Sequence, residues 1–181
     1  RPMPRYVGFL RAVNVGGRVV KMDRLRQLFE EAGFTGVSTH LASGNVLFTA
    51  GRGRSATHES KIEKALGGGL GWEVATFLRT PAEMAAVVDR LPFAAEDVAT
   101  AHAVYVGFLK SVPAPEAHAL LHGLRTPTDA LAVHGREVYW LCRVRSAASE
   151  LSGASLEKAL GLVATFRNVT TVRAVAAKLA R

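Results

Sequence analysis

Along positions 5–79 the hydrophobic period of the chain switches between two and about 3.6 residues, and that switching is the tightest constraint on the fold. RYVGFLR (5–11) is almost wholly apolar inside, which reads as a central strand covered on at least one face. In MDRLRQLFEEAG, residues Met22, Leu25, Leu28, Phe29 and Ala32 share one helical face, with Arg24, Arg26, Gln27, Glu30 and Glu31 on the others. Gly33 is a natural stop for that helix. VSTHLASGNVLFTA (37–50) reads as a hairpin turning at Ser43 and Gly44. A second helix is expected near 56–67. The run GGGLG (67–71) is expected to end it as a flexible cap, since a phosphate cradle would precede a helix. WEVATFLR (72–79) is the next strand, and Pro81 opens a third helix, PAEMAAVVDRL.

The order strand, helix, strand, strand, helix, strand predicts an α+β fold. Its N-terminal lobe, residues 1–91, reads as a ferredoxin-like split βαβ unit. A second, smaller α+β lobe is expected over 92–181, packed on the first and ending in two helices. It holds the strand AHAVYVGFLK, a helix near 114–123, the strand pair DALAVHG and EVYWLCRV, and then the helices. This is a partial echo of the first lobe. The echo rests on element order, without a residue-level repeat behind it.

Composition narrows the setting. No apolar run approaches the roughly 20 residues that span a bilayer. The N-terminus lacks an apolar signal core. With a single cysteine, Cys142, no intramolecular disulfide can form. These features point to a cytoplasmic protein with no membrane partner, and Cys142 reads as a buried, inert thiol. The net charge of +8 and pI of about 10.2 permit binding of phosphate or nucleic acid. The 17 arginines are scattered, however, and the densest stretches are only GRGR (51–54) and RVR (143–145). Most of this charge is expected to be a solvated surface.

In a split βαβ unit the first two strands are parallel, with the third between them, so their C-terminal ends share one sheet edge. The loop after the first strand and the turn between the second and third both sit there. Asn14, Gly16 and Gly17 are therefore expected near Ser43, Gly44 and Asn45. The first helix begins at the same edge, with free N–H groups and a positive dipole end. Arg11 and Lys21 flank the loop and add charge. NVGGRVVK is neither a P-loop nor a GxGxxG fingerprint, so Gly16 and Gly17 read as a turn at the rim of a pocket.

Several short stretches carry a resemblance. FLRAVNVGG (9–17), VKMDRLRQLFEEAGF (20–34), ASGNVLF (42–48), LPF (91–93) and TFRNVTTV (165–172) resemble, in order, motifs of the bacterial family called domain of unknown function 1697. The chain departs from the family pattern at Ala12, usually glycine, at Ala42, usually glutamine, and at Val169 and Thr170, commonly tryptophan and asparagine. The lost tryptophan removes a stacking group. The resemblance implies an α+β fold with a ferredoxin-like part and no established reaction. It also marks a third cluster, Thr165, Arg167, Asn168 and Thr171, ahead of a C-terminal helix for which Thr170 or Thr171 would be the N-cap. One role for Arg167 and Asn168 is to pin that helix; the other is to complete the anion pocket.

No sequence feature calls for a cofactor or a metal. His118 and His122 lie four apart, but HALLH lacks the glutamate of HExxH and a third ligand. No residue is marked as nucleophile or general base, so the chain is assigned no reaction, and its oligomeric state is not legible. The leading expectation is binding of a small anionic ligand, a nucleotide or phosphorylated metabolite. The expected ligand set is Arg11, Asn14, Gly16, Gly17, Lys21, Ser43, Gly44, Asn45, Arg167, Asn168 and Thr171. A nucleic-acid-binding module is the second reading. It has the basic charge in its favour, but the third strand lacks the paired aromatics that stack RNA bases. The third reading is a partner-binding protein whose polar motifs are purely structural.

Overall fold

In the computed structural model, residues 3–13, 16–41, 44–145 and 148–181 are described. Asn14 and Ser43, both candidate ligands, lie outside them. The first sheet contains β1 (Arg5–Leu10), β2 (Thr35–Thr39), β3 (Asn45–Thr49) and β4 (Thr76–Arg79). Its order is β2-β3-β1-β4, with every neighbouring pair antiparallel. β3 therefore lies between the parallel strands β1 and β2. Helix α1 (Met22–Glu31) connects β1 to β2, and α2 (Ser55–Leu70) connects β3 to β4. Tyr6, Leu10, Val46, Phe48 and Leu78 meet Leu25, Phe29, Ile62 and Leu66 of the two helices in one cluster. The Phe34 and Phe48 rings sit 5.0 Å apart. Each such large side chain stabilises by about 1.5–3 kcal/mol on burial. The other pleat face, with Val7, Phe9, Leu47 and Phe77, is buried too. This explains why β1 is an unbroken apolar run rather than an alternating one.

The second sheet is built from β5 (Ala103–Leu109), β6 (Asp129–His134), β7 (Glu137–Cys142) and β8 (Ala164–Asn168). Its order, β6-β7-β5-β8, repeats that of the first strand for strand. Helices α5 (Glu116–Leu124) and α6 (Gly153–Leu160) occupy the places of α1 and α2. The echo is thus complete, and the structure aligns an identical pentapeptide, YVGFL, at 6–10 in β1 and 105–109 in β5. Val7 pairs with Arg79 in the first sheet, and Val106 pairs with Arg167 in the second.

By compactness the chain divides into one unit of residues 1–85 with 174–181 and another of residues 86–173. The division falls inside α3 (Pro81–Asp89) and α7 (Val169–Leu179), while the short α4 (Ala95–Thr100) belongs to the second unit. Within the first unit the Arg5 guanidinium donates to the Leu179 carbonyl at 2.9 Å and so ties down the C-terminal end. No helix among the described residues is long and apolar enough to cross a membrane.

Three elements differ from expectation. α2 does not stop at Gly67 but continues through the glycine run to Leu70. A Cβ on Gly69 would stand 2.2 Å from Leu28 Cδ2 of α1, so the glycine lets two helices approach closely. α4 is a single short helix of six residues without a side-chain cap, which leaves little pattern to read. β8 is a strand that passes directly into α7 with no intervening loop, so it reads as helix approach rather than as sheet.

The outer strands β4 and β8 would each expose unpaired N–H groups. In the first unit, α2 supplies carboxylates instead. Glu63 accepts from the Thr76 N–H at 3.1 Å, and Glu59 accepts from the Leu78 N–H at 2.8 Å. In the second, Glu157 of α6 accepts from the Ala164 N–H at 2.7 Å. Thr76 and Ala164 occupy equivalent registers, opposite Leu10 and Leu109. A carboxylate on the last strand blocks edge-to-edge pairing with another chain.

Candidate functional site

At the C-terminal end of β1 four segments converge. The Leu10 N–H donates to the Gly44 carbonyl at 2.8 Å, and the Arg11 N–H donates to the Ala75 carbonyl at 2.9 Å. The Thr39 hydroxyl reaches Met22 Sδ at 3.0 Å. The loop after β1, the β2–β3 turn, the start of β4 and the start of α1 thus share one edge. Gly16 and Gly17 have φ of 61° and 82°, and nothing stands within 4 Å of where their Cβ atoms would be. Their glycine character serves the left-handed turn, and the space beside them is open. Lys21 precedes α1 in an extended conformation. It is exposed and makes no side-chain cap to the helix, so it does not satisfy the first free N–H groups.

Not every expected ligand is available. Asn45 is buried, and its amide nitrogen donates to the His40 carbonyl at 2.9 Å and the Leu41 carbonyl at 3.4 Å. It closes the β2–β3 turn. Ala12 and Leu41, on either side of this edge, are the non-glycine residues with positive φ among the described residues, at 58° and 47°. An L-residue pays for that conformation, which gives a physical reason for the glycine usual at the Ala12 position in the family resembled.

Arg18 and Trp72 at this edge escaped the sequence reading, while His40 on the hairpin is a half-buried boundary residue. Arg18 lies over the Trp72 ring, 5.1 Å from its centroid. Trp72 Nε1 and His40 Nε2 are buried without hydrogen-bond partners. Burial, with a smaller contribution from the charge of Lys178, holds His40 below its ordinary pKa, favouring the neutral ring. The Arg18–Trp72 pairing has no sequence signature, because it depends on which loops meet.

Arg167, Asn168 and Thr171 belong to the second unit. Arg167 donates to Thr165 Oγ1 at 2.7 Å and to the Phe166 carbonyl at 2.9 Å, and burial lowers its pKa to about 10. Asn168, not Thr170 or Thr171, is the N-cap of α7. Its Oδ1 accepts from the Thr170 N–H at 2.9 Å, and the helix starts at Val169. Thr171 therefore lies within the first turn.

The second unit holds a buried polar cluster that the sequence did not mark. Asp129, 2% exposed, accepts at Oδ2 from the hydroxyls of Thr126 (2.6 Å) and Thr128 (2.9 Å). At Oδ1 it accepts from Trp140 Nε1 (2.7 Å) and the Ser149 hydroxyl (2.9 Å). Burial alone would raise its pKa. The bonds from Thr126, Trp140, Thr128 and Ser149 together outweigh that and bring it down to about 2. The neighbouring Cys142 thiol is pushed up by burial and by Asp129, which keeps it protonated. Two threonines next to the aspartate in TPTD are the local signal, but Trp140 and Ser149 arrive only through folding. Among the described residues no three His, Cys, Asp or Glu side chains gather as a metal site.

The fold has a solved counterpart. A conserved bacterial protein, SP0830 from Streptococcus pneumoniae, matches with a TM-score of 0.80 over 99% of both chains at 22% identity, a likeness of fold. No curated protein matches the sequence. The family model described as a protein of unknown function (DUF1697) matches residues 3–139, which include the glycine loop and the hairpin but not the 165–172 motif, and the chain belongs to that family.

Proposed function

We propose that the first unit binds a small anionic ligand, a nucleotide or phosphorylated metabolite, at the edge where β1 hands over to α1. In this reading each unit is a ferredoxin-like module, and the first carries the site. One observation supports it most. The left-handed glycines 16 and 17 have open space beside them, in a loop that carries Arg11, Arg18 and Lys21 and leads to a helix start that Lys21 leaves uncapped. Exposed N–H groups and cations arranged in this way suit an oxyanion. Asn45 and Asn168 spend side-chain atoms on backbone, and this reading rests on the described loop residues Arg11, Gly16, Gly17 and Lys21, with Arg18 added.

The nucleic-acid reading draws on the net charge of +8. Against it, Val46, Leu47 and Phe48 are all buried, so β3 has no open face on which bases could stack. Calorimetric titration with ATP, GMP and glucose 6-phosphate separates the two, alongside anisotropy with single-stranded RNA and duplex DNA at two salt concentrations. Arg11→Ala and Lys21→Ala should each weaken small-ligand binding about tenfold, the worth of a charge-assisted contact. Tight polynucleotide binding with a steep salt slope, and none of the small ligands, would replace this reading with the second.

A further inference from the structure

The RVR run at 143–145 takes no part in the edge described above, yet it borders a cavity of its own. A groove of about 470 Å³ in the second unit is lined by Arg125, Thr126, Pro127, Asp129, Ala130 and Arg143. Backbone bonds explain why two arginines face it. Thr126 and Asp129 exchange N–H···O bonds, both 3.2 Å, and so close a tight turn. Arg125 directly precedes that turn, and the Arg143 N–H donates to the Thr128 carbonyl at 2.8 Å. One guanidinium therefore leaves from each flank of the same turn.

The turn is held firmly. The buried Asp129 carboxylate takes hydroxyl bonds from Thr126 and Thr128 on the turn and from Ser149 beyond Arg143. Both arginine-bearing segments are thus anchored to one group. That carboxylate accepts from five side chains, the Cys142 thiol at 3.5 Å among them, and from neither arginine among the described residues. Neither Arg125 nor Arg143 forms an ion pair among the described residues. Arg125 is also oriented: its Nε donates to the His122 carbonyl at 3.2 Å, and its Nη2 lies 2.7 Å from His122 Nε2. Two cations on the flanks of one anchored turn, neither in an ion pair among the described residues, suit one anion.

We propose that this groove binds a small oxyanion, the phosphate or carboxylate group of a metabolite, gripped by Arg125 and Arg143. Pro127 and Ala130 form an apolar wall for the adjoining carbon atoms. The site shares no residue with the glycine edge of the first unit and stands independently of it.

The test is calorimetric titration of the full chain with inorganic phosphate and, separately, with succinate. It compares wild type with Arg125→Ala, Arg143→Ala and Arg143→Lys, each checked for folding by circular dichroism. At least one of the two anions should bind. Each alanine variant should weaken binding about tenfold or more, and lysine should restore part of it, keeping the charge but losing the planar fork. Binding of phosphate alone assigns the phosphate source, and binding of succinate alone the carboxylate source. Arg143 is exposed, so its two variants decide the matter should Arg125→Ala fail to fold. Absence of binding by both anions overturns the proposal. So does binding that Arg143→Ala leaves intact, which would move the anion elsewhere, for example to the Arg11 and Lys21 edge.

Discussion

Ala12 and Leu41 hold left-handed backbone without being glycine, and they do so on the two segments that meet beside the candidate site. The conformation costs an L-residue roughly 1–2 kcal/mol, partly offset by the extra freedom that glycine has when unfolded. Ala12→Gly should therefore raise stability by up to about 1 kcal/mol, read as a higher urea midpoint at unchanged slope. A lower midpoint would mean that the Ala12 methyl group makes packing contacts worth more than the strain. Asp129 gives a prediction of different sign. Its folded pKa, about 2, lies below the ordinary carboxylate value of 3.8, so its contribution is complete above about pH 4 and is lost as the pH falls towards 2. The shift corresponds to about 2 kcal/mol. At pH 7 Asp129→Asn should be less stable than wild type by about that amount, and the gap should narrow in urea titrations repeated at pH 3 and below. A gap independent of pH would mean that geometry, not charge, is what the donors around Asp129 recognise. Legibility at this scale was uneven. Arg11, Gly16, Gly17 and Lys21 could be named from local pattern, whereas Arg18, Trp72 and Asp129 could not, since their partners are distant in the chain.

At the scale of elements, the glycine run of α2 shows how a strong local signal can mislead. Three glycines in a row read as a helix end, because glycine costs a helix about 1 kcal/mol per residue relative to alanine. Packing overrides that preference here. Gly69 faces Leu28 at a distance no Cβ tolerates, while Gly68 has nothing within 4 Å and neither has positive φ. The two should respond oppositely to alanine. Gly68→Ala should stabilise by about 0.5–1 kcal/mol through helix propensity. Gly69→Ala should destabilise by about 1–3 kcal/mol, as Leu28 is forced off its rotamer. Thermal melts of the two variants decide it, and equal effects would mean that the glycines serve only the chain's flexibility. Edge protection is a second property of elements that pattern does not reveal. Glu59 and Glu63 look like ordinary polar positions of an amphipathic helix, but they terminate the sheet at β4.

Across the whole molecule, one strand arrangement is used twice. Leu10 bonds the Gly44 carbonyl of the first unit at 2.8 Å, and Leu109 bonds the Arg136 carbonyl of the second at 2.9 Å. Arg79 and Arg167, at equivalent registers, each fold back on the carbonyl of the preceding residue, at 2.8 and 2.9 Å. This correspondence shows that Arg167 occupies a position that, in the first unit, is filled by a fully buried arginine. Each of the two guanidiniums thus bonds the backbone of its own strand. Most of the first unit was legible from its residues, because the alternation of periods over 5–79 names each element and the split order fixes which loops share an edge. The α+β class, the meeting of the β1–α1 loop with the β2–β3 turn, and the family were all carried by short contiguous patterns. What local pattern could not supply was anything that depends on a partner far along the chain. β8 became a strand only because β5 offers it a ladder. α2 runs on through its glycines, and Gly69 there lets Leu28 of α1 come close. Asp129 became a buried anchor only because Trp140 and Ser149 fold onto it. Period and turn chemistry are properties of neighbouring residues. Burial, close approach and charge compensation are properties of the surroundings, and only the folded chain supplies those.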